Sequence, residues 1–333
     1  MNFSTVDELI LCSNDTCQNV NLTASSVLLY ICMAAVIILT VCGNLLVVIS
    51  ISHFKQLHTP TNLLILSLAT ADMMVGVTVL PIYFISKSVC MRMDRTFCYF
   101  TLLCSFHFTF LSIYNVSFIS VDRLYALSNP FQYSNKVTFK LIFTVNCFNW
   151  LTSFGYSMAY IYINGIRTGN VLCFGNCTVV ADGLWASIDL FLVFILPCSV
   201  ILLSYMKIFI IARKHSKSIR LAKGNPATRN RKYGGGVPKA SKSKAATTLG
   251  ILVTVFVACL LPYFLSISFS VFIPDTLSLK VLEGTLPLLY LNSAINPIIY
   301  ALFYPWFRKC AKLILMLNIF NTDSSLVNVL TDG

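Results

Sequence analysis

Few ionisable residues stand inside the long apolar stretches of this chain, and the acidic ones are Asp72, Asp122, Asp189 and, at the outer edge of the last stretch, Glu283. A charged side chain in a membrane-crossing helix costs about 2.5 to 3.5 kcal/mol on insertion scales, so it faces a bundle interior and has a partner or a task. Asp189 lies eight residues before Pro197, and no Lys or Arg occupies the outer half of any apolar stretch. A carboxylate lacking a basic partner in a low-dielectric pocket attracts cations. At 4 Å and an effective dielectric near 20 the Coulomb attraction is about 4 kcal/mol before desolvation is subtracted. A protonated amine would supply the missing charge. Phe106, Tyr263, Phe264 and Tyr290 lie at a depth where their ring faces could add about 0.5 to 2 kcal/mol per contact by cation–π attraction. Each of these rings taken alone also reads as core packing.

Asn44, Asp72 and Asn296 are the strong polar groups of the middle and inner stretches, and they could share one hydrated cluster. Two readings stay open: hydrogen bonds between helices, worth about 1 to 2 kcal/mol each, or a cation site. Asp122 and Arg123 end the third stretch, where an arginine can reach the interface and its neighbour can hold it. Cys12, Cys17, Cys90, Cys98, Cys173 and Cys177 fall on the expected outer side, and six cysteines allow fifteen pairings into three bridges. Span thiols such as Cys42, Cys147 and Cys198 read as small buried hydrophobes.

Helices that cross a membrane must position these groups. Of the 333 residues, 57% are hydrophobic and 11% charged, whereas a soluble domain carries about a quarter charged residues. A crossing helix needs about 20 apolar residues, and seven stretches qualify: 27–52, 62–86, 96–124, 138–161, 184–211, 244–271 and 282–304. The predicted fold class is an all-α membrane protein, a seven-transmembrane helix bundle. An odd number of spans puts the termini on opposite sides. The run from Arg213 through Lys214, Lys217, Arg220, Lys223, Arg229, Arg231 and Lys232 makes the loop before the sixth span cytoplasmic. Residues 1–26 then form an extracellular tail, 27–304 the bundle, and 305–333 an amphipathic helix and cytoplasmic tail.

That helix begins with Trp306 and Phe307 and alternates basic and apolar residues like a helix lying on the membrane surface, with Cys310 a candidate for palmitoylation. Asn2, Asn14 and Asn21 each open an N-glycan acceptor motif, in agreement with an outside tail. Asp7, Glu8 and Asp15 interrupt the segment before the first span, so that span is expected to serve as its own uncleaved signal.

The net charge of +12 sits in loops beside an anionic leaflet, without an aromatic platform for bases, so membrane lipid is the expected neighbour and nucleic acid is not. His53, His58, His107 and His215 are scattered, and no metal-ligand spacing, phosphate loop or nucleophile with a base supports an enzyme. A transporter would show paired broken helices or inverted repeats, and neither is seen.

Gly43-Asn44, Leu68-Ala69-Thr70-Ala71-Asp72, Asp122-Arg123, Trp150, Pro197, Tyr205, Pro262 and Asn296-Pro297-Ile298-Ile299-Tyr300 occur in the order of a rhodopsin-like G protein-coupled receptor, which the chain resembles over nearly its whole length. The run Asn292 to Tyr300 leading into Phe303 to Lys309 is similar to the trace amine-associated receptors, as are Gly175-Asn176-Cys177, Lys244-Ala245-Ala246 and Thr248-Leu249-Gly250. Most members of that subfamily are olfactory receptors for volatile amines.

The resemblance implies a small amine ligand and a heterotrimeric G protein, stimulatory and raising cyclic AMP, as partners. It places Arg123 in the G protein cavity beside Asp122, has Tyr205 and Tyr300 move toward it with Pro297 in the activation motif, and makes Asn44, Asp72 and Asn296 a sodium or water site. It also implies a Cys98 to Cys177 bridge and a second from Cys173 to Cys17 or Cys12. No cofactor beyond that sodium ion is expected.

Departures from the family redirect the ligand. The usual amine-binding Asp stands eighteen residues before the motif arginine, a place held here by Ser105. Some fish olfactory members resemble this pattern, with the acid on the fifth span at the place of Asp189. The expected ligand set is Asp189, Ser105, Phe106, Thr109, Tyr263, Phe264 and Tyr290; Glu283, near the outer end of the last span, reads as a solvated residue before a secondary contact. Leu124 follows Arg123 where Tyr is usual, Leu260 replaces a Trp before Pro262, and Lys242 stands where an acid often locks the arginine, so that lock cannot form. An odorant without nitrogen is the alternative ligand.

Overall fold

The computed structural model describes residues 24–89, 94–168, 171–172, 177–179, 183–223, 239–269, 275–321 and 323–330. Among the described residues, seven helical segments run through a bundle. The first is α1 (Ala24–His53), and the second is α2 (Pro60–Met74) continued through a π turn (Val75–Val79) into α3 (Leu80–Val89). The third is α4 (Arg95–Ser128), followed by the short α5 (Pro130–Lys136); the fourth is α6 (Phe139–Ile161), lengthened by a π turn (Tyr162–Ile166). The fifth is α7 (Gly183–Asp189), a π turn (Leu190–Ile195) and α8 (Leu196–Lys223). The sixth is α9 (Lys239–Phe269), the seventh α10 (Asp275–Phe303), and α11 (Pro305–Leu315) follows. The two-residue strands β1 (Val171–Leu172) and β2 (Thr178–Val179) pair antiparallel before the fifth span. The chain is thus a nearly all-helical seven-transmembrane protein with a short amphipathic helix after the last span, the class predicted from its hydropathy.

Spans one, two, three, five and seven are long and apolar enough by themselves to cross a membrane. Thr254–Phe269 in the sixth is a shorter apolar run, and the fourth carries buried Asn146 and Asn149, which lower its hydropathy but face neighbouring helices. Three of the starts are fixed by capping side chains. Thr59 accepts from Asn62 N with Pro60 in the first turn, Asp94 accepts from Thr96 N, and Thr138 accepts from Leu141 N.

Several helices outrun their hydropathy. The seventh begins at Asp275 where 282 was expected, and the fifth continues to Lys223 where 211 was expected. Hydropathy counts only the part of a helix inside hydrocarbon, whereas backbone hydrogen bonding continues into the headgroup region.

The main core lies where spans two to seven meet, around Leu68, Leu111, Ile113, Ile201, Phe256 and Leu260. A second core, around Val47, Ile51, Phe54, Leu57, Tyr300, Phe307 and Cys310, joins span one to α11. Spans one and seven meet at Gly43, where a Cβ would stand 2.6 Å from Pro297 Cβ, so only glycine allows this approach. Cys98 and Cys177 are disulfide-bonded, with Cα atoms 5.4 Å apart. The bridge marks one end of the bundle, and α11 marks the other.

Candidate functional site

In the disulfide-end half of the fifth span, Asp189 closes α7 just before the π turn and is 7% exposed. It is not bare, as the sequence suggested. The Tyr156 hydroxyl on the fourth span donates to its Oδ1 at 2.8 Å. Tyr156 is neutral, so no cation offsets the carboxylate among the described residues. The π turn arises next to Pro197, which lacks an N–H and cannot continue the regular ladder. Within that turn the Leu192 carbonyl accepts a hydrogen bond from the Tyr114 hydroxyl at 2.9 Å.

Rings line the same region in sequence of contact. Phe110 stacks on Tyr114 at 4.4 Å and meets Tyr156 at 5.4 Å; Tyr156 meets Tyr160 at 6.2 Å; Tyr160 meets Phe106 at 4.9 Å and Trp185 at 6.3 Å. Of the expected rings, Phe106 belongs to this wall, and Tyr263 stands within electrostatic reach of Asp189, Tyr160 and Tyr290. Phe264 is buried and stacked on Phe194 at 4.6 Å, a packing contact rather than an open ring face.

Ser105 is elsewhere. Its hydroxyl shares a 2.5 Å hydrogen bond with Tyr290, whose ring meets Tyr83 edge-on at 6.0 Å. Below them Thr109, Ser112, Leu260, Tyr290 and Ser293 line a void of about 10 Å³, room for about one water molecule. The expected ligand set therefore comprises Asp189 with its Tyr156 contact and a Ser105–Tyr290 pair on spans three and seven, with Tyr263 of span six within electrostatic reach of both Asp189 and Tyr290. The side chain of Glu283 lies outside the described residues.

Beneath the void, Asp72 is fully buried and accepts three hydrogen bonds: Ser112 at 3.1 Å, Ser293 at 2.8 Å and Asn296 Nδ2 at 2.7 Å. Asn44 does not touch the carboxylate. Its Nδ2 donates to the Thr40 and Ser293 carbonyls, and its Oδ1 has no protein partner. Ser112 and Ser293, absent from the sequence expectation, contribute hydroxyl oxygens that can donate to Asp72 while offering lone pairs to a cation.

At the α11 end, Arg123 donates to Asp122 through Nη2 at 2.6 Å and Nε at 3.1 Å, and Nη2 also contacts Thr61. Tyr133 on α5 donates to the other oxygen of Asp122 at 2.7 Å, and the Thr61 hydroxyl donates to Oδ2 at 2.9 Å. Burial pushes the Tyr133 hydroxyl above the ordinary phenol range, so it remains a donor. Tyr205 stands within electrostatic reach of Arg123 and Tyr304, and buried Tyr300 meets Tyr304 at 5.8 Å. Leu260 is buried and Leu124 half-buried, while the side chain of Lys242 lies outside the described residues. Also outside them lie Asn2, Asn14, Asn21, Cys12, Cys17 and Cys173.

Sequence reasoning missed Tyr156, Thr61, Tyr133, Ser112 and Ser293. No signal singled out Tyr156, since its span also holds Asn146, Asn149, Ser153, Ser157 and a second phenol, Tyr160.

Residues 43–300 match the family profile described as 7 transmembrane receptor (rhodopsin family). The chain is 38% identical over 326 residues to "Trace amine-associated receptor 13c" of Danio rerio, covering 96% of this chain and 94% of the relative. It is 38% identical over 313 residues to "Trace amine-associated receptor 6" of Rattus norvegicus, covering 92% and 90%. With "Trace amine-associated receptor 7a" of Mus musculus it shares 39% over 298 residues, covering 87% and 83%.

Proposed function

Because this chain belongs to the rhodopsin family of seven-transmembrane receptors and, within it, to the trace amine-associated receptors, we propose that it binds a protonated small amine at Asp189 and signals through a stimulatory G protein. Such a protein is a multi-pass receptor of the plasma membrane and not an enzyme. The observation that carries the ligand reading is the buried Asp189 carboxylate, offset by no cation among the described residues and bonded by Tyr156, whose ring meets Phe110 and Tyr160. Desolvated anions of this kind gain from a cationic ligand, and ring faces add to that gain. Ser105 bonds Tyr290 and leaves the third span without an acid there.

In this reading the disulfide end and the tail before α1 face outside, where volatile amines arrive, and the receptor serves olfaction. Asn2, Asn14 and Asn21 would carry glycans there. Arg123, released from Asp122, would receive the G protein with Tyr205 and Tyr300 beside it, and Pro297 would act as the pivot of the seventh span. A sodium ion is compatible with the oxygens of Asp72, Ser112 and Ser293; Asn296 offers its N–H to Asp72 and would hold the carboxylate rather than the ion. Bound there, sodium would supply a positive charge that keeps Asp72 ionised.

A cyclic-AMP assay on mono-amines, diamines and nitrogen-free odorants, run on wild type and Asp189→Asn, tests the reading. Asp189→Asn keeps size and hydrogen bonding but removes the charge, and breaking a buried pair costs about 3 to 5 kcal/mol. Amine potency is expected to fall at least about a hundredfold, each 1.4 kcal/mol being about tenfold. Unchanged amine potency in receptor that reaches the surface would replace the amine with an uncharged odorant.

A further inference from the structure

We infer that Tyr114 is a positioning residue for the amine site: its hydroxyl bonds the Leu192 carbonyl that Pro197 leaves without a backbone donor, and so fixes the π turn that aims Asp189 into the bundle. The inference deepens the amine reading of Asp189 above and rests on it for the effect on ligand. In a helix the Leu192 carbonyl would accept from the N–H four residues on, or five on in a π turn. Four on is Leu196, whose N–H bonds the Phe191 carbonyl, and five on is Pro197, which has no N–H. Inside a membrane no water replaces the missing donor. The Tyr114 hydroxyl of the third span supplies it, at 2.9 Å.

Two phenols thus hold the fifth span at positions three residues apart, Tyr156 donating to the Asp189 side chain at 2.8 Å and Tyr114 to the Leu192 backbone. Phe110 joins them, its ring stacked on Tyr114 at 4.4 Å and tilted against Tyr156 at 5.4 Å. Buried Asp189 is bonded from span four and has Tyr263 of span six within electrostatic reach, so it faces the bundle interior. Without the Tyr114 donor, the Leu192 carbonyl is satisfied most simply by the Leu196 N–H, the four-residue bond of an α-helix. That exchange removes the extra residue of the π turn and rotates the outer half of the span by about 100° relative to the inner half. Asp189 then leaves both Tyr156 and the interior. A hydroxyl on span three therefore decides which way the carboxylate on span five points.

The test reads where position 189 faces, without a ligand. Asp189→Cys receptor on intact cells is treated from outside with a membrane-impermeant quaternary-ammonium methanethiosulfonate, and labelling is counted above that of receptor retaining Asp189. Tyr114→Phe keeps the ring on Phe110 and removes only the donor. It is expected to slow labelling by about tenfold or more, the population shift that an unbonded buried carbonyl brings. With Asp189 intact, it should lower amine potency in the cyclic-AMP assay by a similar factor. Adding Pro197→Ala gives the Leu192 carbonyl a backbone N–H, so labelling and potency should return toward those of the parent. A role confined to ring packing would not be rescued by a backbone donor on another span. Labelling at the parent rate in Tyr114→Phe receptor at the surface overturns the inference, as does a loss of labelling that Pro197→Ala leaves in place, or absent labelling in the Asp189→Cys parent. If Tyr114→Phe fails to reach the surface, the same rescue is read from surface expression, and its failure there overturns the inference too. Slowed and rescued labelling with amine potency indifferent to Asp189→Asn removes the amine reading and leaves Tyr114 as the residue that orients position 189. A parent labelling rate with amine responses lost in Asp189→Asn removes only the role of Tyr114.

Discussion

Asp122 accepts from Tyr133, Thr61 and the adjacent Arg123, so the only acid at the inner end of span three is fully engaged by groups from three elements. An arginine held by its own neighbour needs no acid on the sixth span, which fits the presence of Lys242 there. Tyr133 is the donor most easily removed without disturbing packing. Tyr133→Phe leaves one oxygen of a buried carboxylate without its bond, and such a loss typically costs about 1 to 3 kcal/mol. Agonist-free receptor is expected to unfold at lower temperature and, on the proposed function, to show raised basal cyclic AMP, because Asp122 loses one of the groups that hold it beside Arg123. Equal basal signalling at equal surface expression would mean that Thr61 and Asp122 suffice.

At the scale of the element, α11 is amphipathic as its sequence predicted, but its cysteine faces inward. Trp306, Phe307, Cys310 and Ile314 share one buried face, with Arg308, Lys312 and Leu315 exposed opposite. Cys310 is 0% exposed in the core shared with span one, and burial pushes its thiol up to about 11, which makes it a poor target for the acylation expected of it. The segment after α11 helps to close that core. Val329, 2% exposed, packs into it while its N–H donates to Gln56 Oε1 at 3.1 Å, and Ser324 bonds His53 at 3.0 Å. Val329→Asp places a charge in this apolar seat and should release the strap. Maleimide labelling of Cys310 in folded receptor is expected to be slow in wild type and at least about tenfold faster in the variant, since labelling tracks the open population and about 1.4 kcal/mol changes it tenfold. Fast labelling of wild type would show that the strap does not seal this face.

Across the whole molecule, the Cys98–Cys177 bridge spans 79 residues and ties the start of span three to the segment carrying β2, the threshold of the fifth span and Asp189. Removing a native disulfide from a domain typically costs about 2 to 5 kcal/mol. Cys98→Ser is expected to reduce surface expression sharply, and any receptor that does reach the surface should melt at lower temperature. Peptide mapping of wild type should recover Cys98 and Cys177 in one linked fragment, and a free Cys98 in folded receptor would contradict the pairing. The opposite end is joined differently, by Gly43 against Pro297 and by the α11 core, so the two ends can respond to separate perturbations.

The helical class, the number of spans and the place of Asp72, Asp122 and Asp189 along them were legible from the pattern of hydropathy along the chain, because the cost of placing a polar group in hydrocarbon depends on position along the chain. Which groups meet was not. Partners are chosen by the rotation of each helix about its axis, and one extra residue in a π turn rotates everything beyond it by about 100°. Such turns stand at Val75–Val79 and Leu190–Ile195, on either side of the pocket, and nothing in the hydropathy marks them. Rotation decides that Asp189 meets Tyr156, that Asn44 turns to backbone carbonyls while Ser112 and Ser293 reach Asp72, and that Cys310 points into the core. The sequence by itself determined that this is a membrane bundle with a few costly polar groups, since burial cost is local; only the tertiary structure decided what satisfies each group, since pairing requires helices far apart in the chain to be in place.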